Sequence, residues 1–122
     1  MIDHITLHVS NYEQAKNFFL KVLAPVGYTL GMDFPEWKSA GFSGHGKTDF
    51  WISEKQPVGN QHVAFSADAR MIVDQFYRTA IDAGARDNGA PGIRKDYHPN
   101  YYGAFVLDQD GNNIEAVCHK EE

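Results

Sequence analysis

The feature that most constrains this chain is that it repeats itself. His4-Ile5-Thr6-Leu7 returns 58 residues later as His62-Val63-Ala64-Phe65, and the aromatic pair Phe18-Phe19 returns at the same interval as Phe76-Tyr77. In each copy a strand-like alternation is followed by a polar cap and then by apolar residues at helix spacing. Such a chain must fold as two similar β–α halves. Packing alone does not explain why the residue kept at the same phase in both halves is a histidine.

The first copy reads clearly. Over residues 2–9, Ile5, Leu7 and Val9 fall on one face, and His4, Thr6 and His8 on the other. This is a strand with an apolar face for a helix and a polar face equipped for chemistry. Ser10-Asn11 supplies a cap and Glu13 favours the first turn. The helix runs to about Leu23, buries Ala15, Phe18, Phe19, Val22 and Leu23, and stops at Pro25 and Gly27. Short strands are expected near 28–32, 37–43 and 48–53, broken at Asp33-Phe34-Pro35 and Gly44-His45-Gly46.

The second copy follows Pro57-Val58-Gly59. A strand over 61–66 leads to a helix over about 69–83, capped by Asp68, closed by Gly84, and turning Met71, Ile72, Phe76, Ala80 and Ile81 inward. Asn88 to Tyr102, with Gly89, Pro91, Gly92 and Pro99, reads as a long functional loop. The last strands, 101–107 and 113–119, are joined by the tight turn Asp108-Gln109-Asp110-Gly111. The pattern is βαβββ twice, an α+β fold in one domain of 122 residues, with modules at about 1–56 and 57–122.

Composition narrows the function. Eleven Lys and Arg against sixteen Asp and Glu give a net charge of −5, which argues against a nucleic-acid partner. No apolar run approaches the roughly 20 residues that span a bilayer. The start, Met1-Ile2-Asp3-His4, enters strand pattern without a leader-like segment, so the cytoplasm is the expected compartment. A single cysteine, Cys118, excludes an intrachain disulfide framework.

Strand phase then selects a site. His4 lies opposite the helix-facing side of its strand. Val63 and Phe65 must face the second helix, which leaves His62 on the other side. On the last strand Ile114, Ala116 and Cys118 form the apolar face, so Glu115 points away. A lone strand histidine is more commonly structural, and a lone glutamate is usually a solvated charge. Three in phase, two of them related by the repeat, favour a metal site. Two imidazoles and one carboxylate suit a divalent transition ion (Zn, Ni, Mn, Co or Fe) with positions left open for a ligand or water.

Three segments carry a resemblance to a known family: Ile2-Asp3-His4-Ile5-Thr6-Leu7-His8-Val9, Gln61-His62-Val63-Ala64-Phe65, and Phe105-Val106-Leu107-Asp108-Gln109-Asp110-Gly111-Asn112-Asn113-Ile114-Glu115. In this order they make the chain similar to the vicinal oxygen chelate superfamily. That superfamily includes glyoxalase I, fosfomycin-resistance thiol transferases, extradiol dioxygenases and bleomycin-resistance proteins. The resemblance implies paired βαβββ modules forming a cupped mixed sheet, a half-barrel around a metal held by His4, His62 and Glu115. It also implies a homodimer in which His4 of one chain can meet His62 and Glu115 of another.

The departures matter as well. Trp51 stands nearest the place where glyoxalase I carries a fourth ligand, a glutamate, so a three-ligand site is implied. Phe105 and Gln109 stand where the dioxygenase signature has tyrosine and proline, which weakens ring cleavage as the reaction.

The remaining candidates are ligand contacts. His8 shares the face of His4 and suits a proton shuttle. Of Tyr101 and Tyr102 one should face the site and the other the helix, with Tyr101 favoured by its phase with Phe105. Arg94, with Lys95, Tyr97 and His98, could grip a carboxylate or phosphate on a substrate. Trp37 and Trp51 could wall a pocket. His119 lies roughly 13 Å along the strand from Glu115, too far to share its ion.

The expected function is a small metal-dependent enzyme acting on an oxygen-bearing small molecule by lyase, isomerase or thiol-transfer chemistry, with Glu115 as ligand and candidate base. The alternatives are a metal-free protein that sequesters a small molecule, and an Fe(II) dioxygenase.

Overall fold

A computed structural model describes residues 2–121 of the chain. Two compact units meet in sequence between Gly59 and Asn60, a few residues beyond the boundary expected from the repeat. Each unit is a βαβββ module with one helix and a four-stranded mixed sheet, so the α+β class holds.

In the first unit, β1 (Ile5–Val9) leads to α1 (Tyr12–Val22), then β2 (Thr29–Phe34), β3 (Ser39–Gly44) and β4 (Lys47–Glu54). The sheet order is β1-β4-β3-β2, with β1 parallel to β4. Asn11 adopts an extended backbone and its Oδ1 accepts the Gln14 N–H at 2.9 Å, satisfying one of the donors a helix start leaves free. The helix buries Tyr12, Ala15, Phe18, Phe19 and Val22. Phe19 is fully buried and its ring meets Phe50 at 5.1 Å and Phe42 at 6.2 Å. Burying each such ring contributes about 2–3 kcal/mol. The strand expected from Trp37 begins instead at Ser39. Pro35–Trp37 form a short 3-10 turn that Lys38 ends in the left-handed region, at φ 50°.

In the second unit, β5 (His62–Ser66) leads to α2 (Arg70–Asp82), then β6 (Arg86–Ile93), β7 (Tyr102–Leu107) and β8 (Asn113–Cys118), in the order β5-β8-β7-β6. Helices α1 and α2 start 58 residues apart, as the repeat requires. Ala69, not Asp68, stands at the cap of α2 and gives it no side-chain hydrogen bond. The buried stripe is Val73, Phe76 and Ala80, while Met71 is exposed and Ile81 half-buried. The i, i+3, i+7 spacing of that stripe sets the phase, and Met71 lies off it.

The largest departure is β6. Much of the stretch expected as a loop is an edge strand paired to β7, and the loop shrinks to residues 94–101. Gly89, Pro91 and Gly92 read as loop residues. On an edge strand, though, a proline's missing N–H need remove no ladder bond, and the pairing shifts register around both glycines.

Candidate metal and ligand site

The second unit builds its site on the sheet face turned away from α2. Ile114, Ala116 and Cys118 are fully buried on the α2 side, which turns Glu115 to the opposite face. There β8 is central. Its Glu115 lies beside Ala64 of β5 and opposite Phe105 of β7. His62 begins β5 on the same face.

A polar clamp holds this register. Asp108 accepts the N–H groups of Asp110 and Asn112, each at 2.9 Å, and Gly111 takes φ 82° to close the turn. Asn112 Oδ1 in turn accepts the Gln61 N–H at 2.9 Å, and the Asn113 N–H donates to the Gln61 carbonyl at 2.7 Å. The turn before Glu115 is thereby tied to the residue before His62. Burial raises the Asp108 carboxyl above its ordinary pKa, against the lowering effect of the bonds it accepts.

His62 Nε2 and Glu115 Oε1 lie 2.8 Å apart. Glu115 is 1% exposed, whereas the His62 side chain is 54% exposed. The Tyr101 hydroxyl donates to Glu115 Oε2. Among the described residues no lysine or arginine pairs with this carboxylate. A buried carboxylate with only an imidazole and a phenol beside it is poised for a cation, because a buried charge calls for pairing. Burial, then the hydrogen bond to Glu115, raises the Tyr101 phenol well above its ordinary pKa, and the Arg94 charge opposes that rise. Gly103 makes the contact possible: a Cβ there would sit 3.1 Å from Tyr101 Cε1 and 3.4 Å from Glu115 Oε2.

Tyr102 points the other way. Its hydroxyl donates to Asp74 of α2 at 2.7 Å, and Arg70 lies over its ring. Arg94 is on the site face, because its guanidinium lies over the ring of Phe105, the register partner of Glu115; its backbone N–H donates to the Tyr101 carbonyl at 2.7 Å. The rings of Tyr97 and His119 meet Tyr101 edge-on at 5.1 and 5.2 Å, and His98 meets His119 at 5.9 Å.

In the first unit His4 stands just before β1 with its side chain 56% exposed. Its Nδ1 is 2.8 Å from Asp3 Oδ1, and Asp3 also accepts from Lys47 at 2.9 Å. The Asp3 carboxyl is held below its ordinary pKa by the His4 bond and then by Lys47. A histidine whose Nδ1 is engaged by a carboxylate offers Nε2 outward, the arrangement common to metal-ligating imidazoles. His8 pairs in register with Ser53, and Thr6 with Trp51.

Trp51 lies across a gap left by Gly41, where a Cβ would come within 2.9 Å of the indole. Its ring is parallel to Phe34 within 1° at 6.3 Å, and Trp37 tilts against Phe34 at 5.1 Å. These three rings, with Thr6, Ser39 and Ser53, line a cleft of about 320 Å³. Phe34 drew no notice as a ligand residue in the sequence, because Asp33-Phe34-Pro35 reads there as a break between strands, whereas Phe34 ends β2.

Does the donor set fit a metal? The donor types do. Two donors on one ion, each at about 2.1 Å, lie roughly 3.0–3.4 Å apart, so the 2.8 Å pair needs to open by only a few tenths of an ångström. Among the described residues, no three His, Cys, Asp or Glu side chains gather closely enough to hold an ion by themselves.

The fold and this face define a protein of paired βαβββ modules carrying an imidazole–carboxylate pair in the second. The chain belongs to the Glyoxalase/Bleomycin resistance protein/Dioxygenase superfamily, whose model matches residues 1–116. It is 29% identical to the uncharacterized protein YqjT of Bacillus subtilis (strain 168), over 94% of this chain and 96% of that one. A glyoxalase/bleomycin resistance protein from Albidiferax ferrireducens T118 superposes with a TM-score of 0.85 at 25% identity, covering 97% and 98% of the two chains. The fold is also that of a lactoylglutathione lyase from Agrobacterium tumefaciens, with a TM-score of 0.73 at 18% identity over 97% and 92% of the chains.

Proposed function

We propose that the chain is a metal-dependent enzyme of glyoxalase-like type, in which His62 Nε2 and Glu115 Oε1 hold a divalent ion and His4, from this chain or a second copy in a homodimer, supplies the third donor. The observation that carries this reading is the buried Glu115 carboxylate, paired among the described residues by no lysine or arginine and lying 2.8 Å from His62 Nε2. When bound, a divalent ion polarises a ligand oxygen and stabilises negative charge developing on it. The chain's own groups supply proton handling. Glu115 would take a proton from the carbon beside the substrate carbonyl and give it back to the neighbouring carbon or to the leaving group, while the Tyr101 hydroxyl, bonded to Oε2, steadies the carboxylate between turnovers. This residue set serves isomerase or lyase chemistry next to a carbonyl, or addition of a thiol. The kinship with a family that includes a lactoylglutathione lyase is consistent with it.

The test is metal content of protein purified without chelator, followed by Co(II) titration of the wild type and of His4→Ala, His62→Ala and Glu115→Ala. One equivalent per site, lost in each variant, is the expected result. An affinity that survives in Glu115→Ala sinks the assignment.

A second reading, sequestration of a planar small molecule without a metal, is favoured by the Phe34–Trp37–Trp51 cleft. The chain's two tryptophans, Trp37 and Trp51, both line that cleft. Quenching of intrinsic tryptophan fluorescence by an added planar aromatic therefore reports on it directly. Quenching together with absent metal uptake would put this reading in front.

A further inference from the structure

The His62–Glu115 face carries a cation whose placement the metal chemistry does not use. The Arg94 guanidinium lies over the Phe105 ring, 5.4 Å from its centroid. The Phe105 ring in turn tilts against His62 at 6.3 Å, and Phe105 pairs in register with Glu115. Two glycines of β6 make room for the guanidinium. A Cβ on Gly89 would stand 3.1 Å from Nη2 and 2.9 Å from Phe105 Cδ1, and one on Gly92 would stand 3.1 Å from Nη1. Gly89 also holds φ 147°, a backbone state that favours glycine.

Arg94 has five N–H donors and no acid. One donor goes to the Ala90 carbonyl at 2.7 Å, and among the described residues no carboxylate pairs with the group. A half-buried guanidinium, held flat on a ring and leaving most of its fork free, is shaped for bidentate recognition of an oxyanion. A cavity of about 380 Å³ borders it, lined also by Ile93, Lys95, Asp96 and Tyr97. The single acid there, Asp96, is exposed and has Lys95 next to it in sequence.

We propose that Arg94 is the anchor for a carboxylate or phosphate-type oxyanion on the small molecule bound beside His62 and Glu115, and so selects anionic ligands. This assignment rests on the reading of His62 and Glu115 as the reactive pair. The guanidinium fixes one end of the ligand, Phe105 sets its height above the sheet, and the reacting oxygen is left at the imidazole–carboxylate pair.

The test uses the full chain, metal-free in chelator, labelled with nitrogen-15. Methylphosphonate and propionate are titrated in, with neutral propionamide as control. Saturable shifts at Arg94 Nε and at the amides of Gly89 and Gly92 are expected for both anions and not for the amide. Arg94→Met keeps an apolar stem on Phe105 and should weaken binding by about tenfold or more, the equivalent of one lost charged hydrogen bond. Arg94→Lys keeps charge without the fork and should fall between; it carries the test if the methionine variant does not fold. Lys21→Met, at an exposed position in the last turn of α1, should leave binding unchanged. No saturable shift, equal response to propionamide, or undiminished affinity in Arg94→Met overturns the proposal. Co(II) titration of the same samples separates the two ideas. Anion binding without cobalt uptake sinks the metal reading alone, and cobalt uptake without anion binding sinks the Arg94 assignment alone.

Discussion

Removing one oxygen tests how the buried carboxylate is held. In Tyr101→Phe the ring keeps its edge contacts with Tyr97 and His119, at 5.1 and 5.2 Å, and loses only the hydroxyl that donates to Glu115 Oε2. Glu115 is 1% exposed, so water cannot readily take the vacated place. A hydrogen bond to a charged group is worth about 1.5–3 kcal/mol, and leaving a buried acceptor unsatisfied costs a similar amount. We expect a loss of about 2 kcal/mol at neutral pH, read from urea unfolding. For a chain of this size that corresponds to a fall in Tm of roughly 6–10 °C. The cycle with Glu115→Gln isolates the interaction, because the amide keeps the shape and removes the charge. A coupling of about 1–2 kcal/mol is expected between residues in direct contact. A Tyr101→Phe loss under about 0.5 kcal/mol, or a coupling within the roughly 0.3–0.5 kcal/mol of independent sites, would refute the claim that Tyr101 holds Glu115 in place.

Two further outcomes follow from the same geometry. Tyr12, Tyr28, Tyr77, Tyr101 and Tyr102 all have phenols raised above their ordinary value of 10.0, by burial and by acceptor carboxylates. The folded chain therefore keeps protons that the unfolded chain releases above about pH 10; the stability is fully present below that pH and falls as pH rises beyond it. Tyrosinate absorbance should rise later in native than in urea-unfolded protein, and coincident curves would contradict this. Gly103→Ala forces a methyl to within 3.1 Å of the Tyr101 ring and 3.4 Å of Glu115 Oε2. It should cost about 1–2 kcal/mol in urea unfolding, and a variant as stable as the wild type would show that the glycine is not needed there.

Much of the fold was legible because two periodicities sit side by side in each copy. Alternation at Ile5, Leu7 and Val9, then helix spacing at Ala15, Phe18, Phe19 and Val22, leaves little choice of element, and the 58-residue interval carries the reading into the second copy. Phase placed Glu115 opposite Ile114 and Ala116, and the structure puts its oxygen against His62. What failed has a common cause. Strand β6 was missed because Gly89, Pro91 and Gly92 are turn residues by local chemistry, and only the pairing with β7 makes them a strand. The phase of α2 was missed because Met71 and Val73 are both apolar, and only packing decides which is buried. Arg94 was visible as a loop cation. Its seat on Phe105 was not, because that depends on the missing side chains of two glycines.

The two halves of the repeat have specialised at one equivalent position. In the first unit Thr6 of β1 pairs with Trp51 of β4; in the second, Ala64 of β5, 58 residues after Thr6, pairs with Glu115 of β8. One backbone place thus bears an indole in one module and a carboxylate in the other. Each choice depends on a neighbour across the strands. The indole needs the gap at Gly41, its register partner on β3. The carboxylate needs donors, supplied by His62 and Tyr101, and space for the phenol at Gly103. A glutamate placed at residue 51 would face Thr6 and Gly41, with His4 at the repeat position of His62, and a tryptophan at 115 would strand the hydroxyl of Tyr101. Cross-strand sets, rather than one residue, carry the difference between the modules. That division leaves the first module with an aromatic cleft and the second with acid, imidazole and guanidinium on one face, the combination on which the proposed oxyanion site rests.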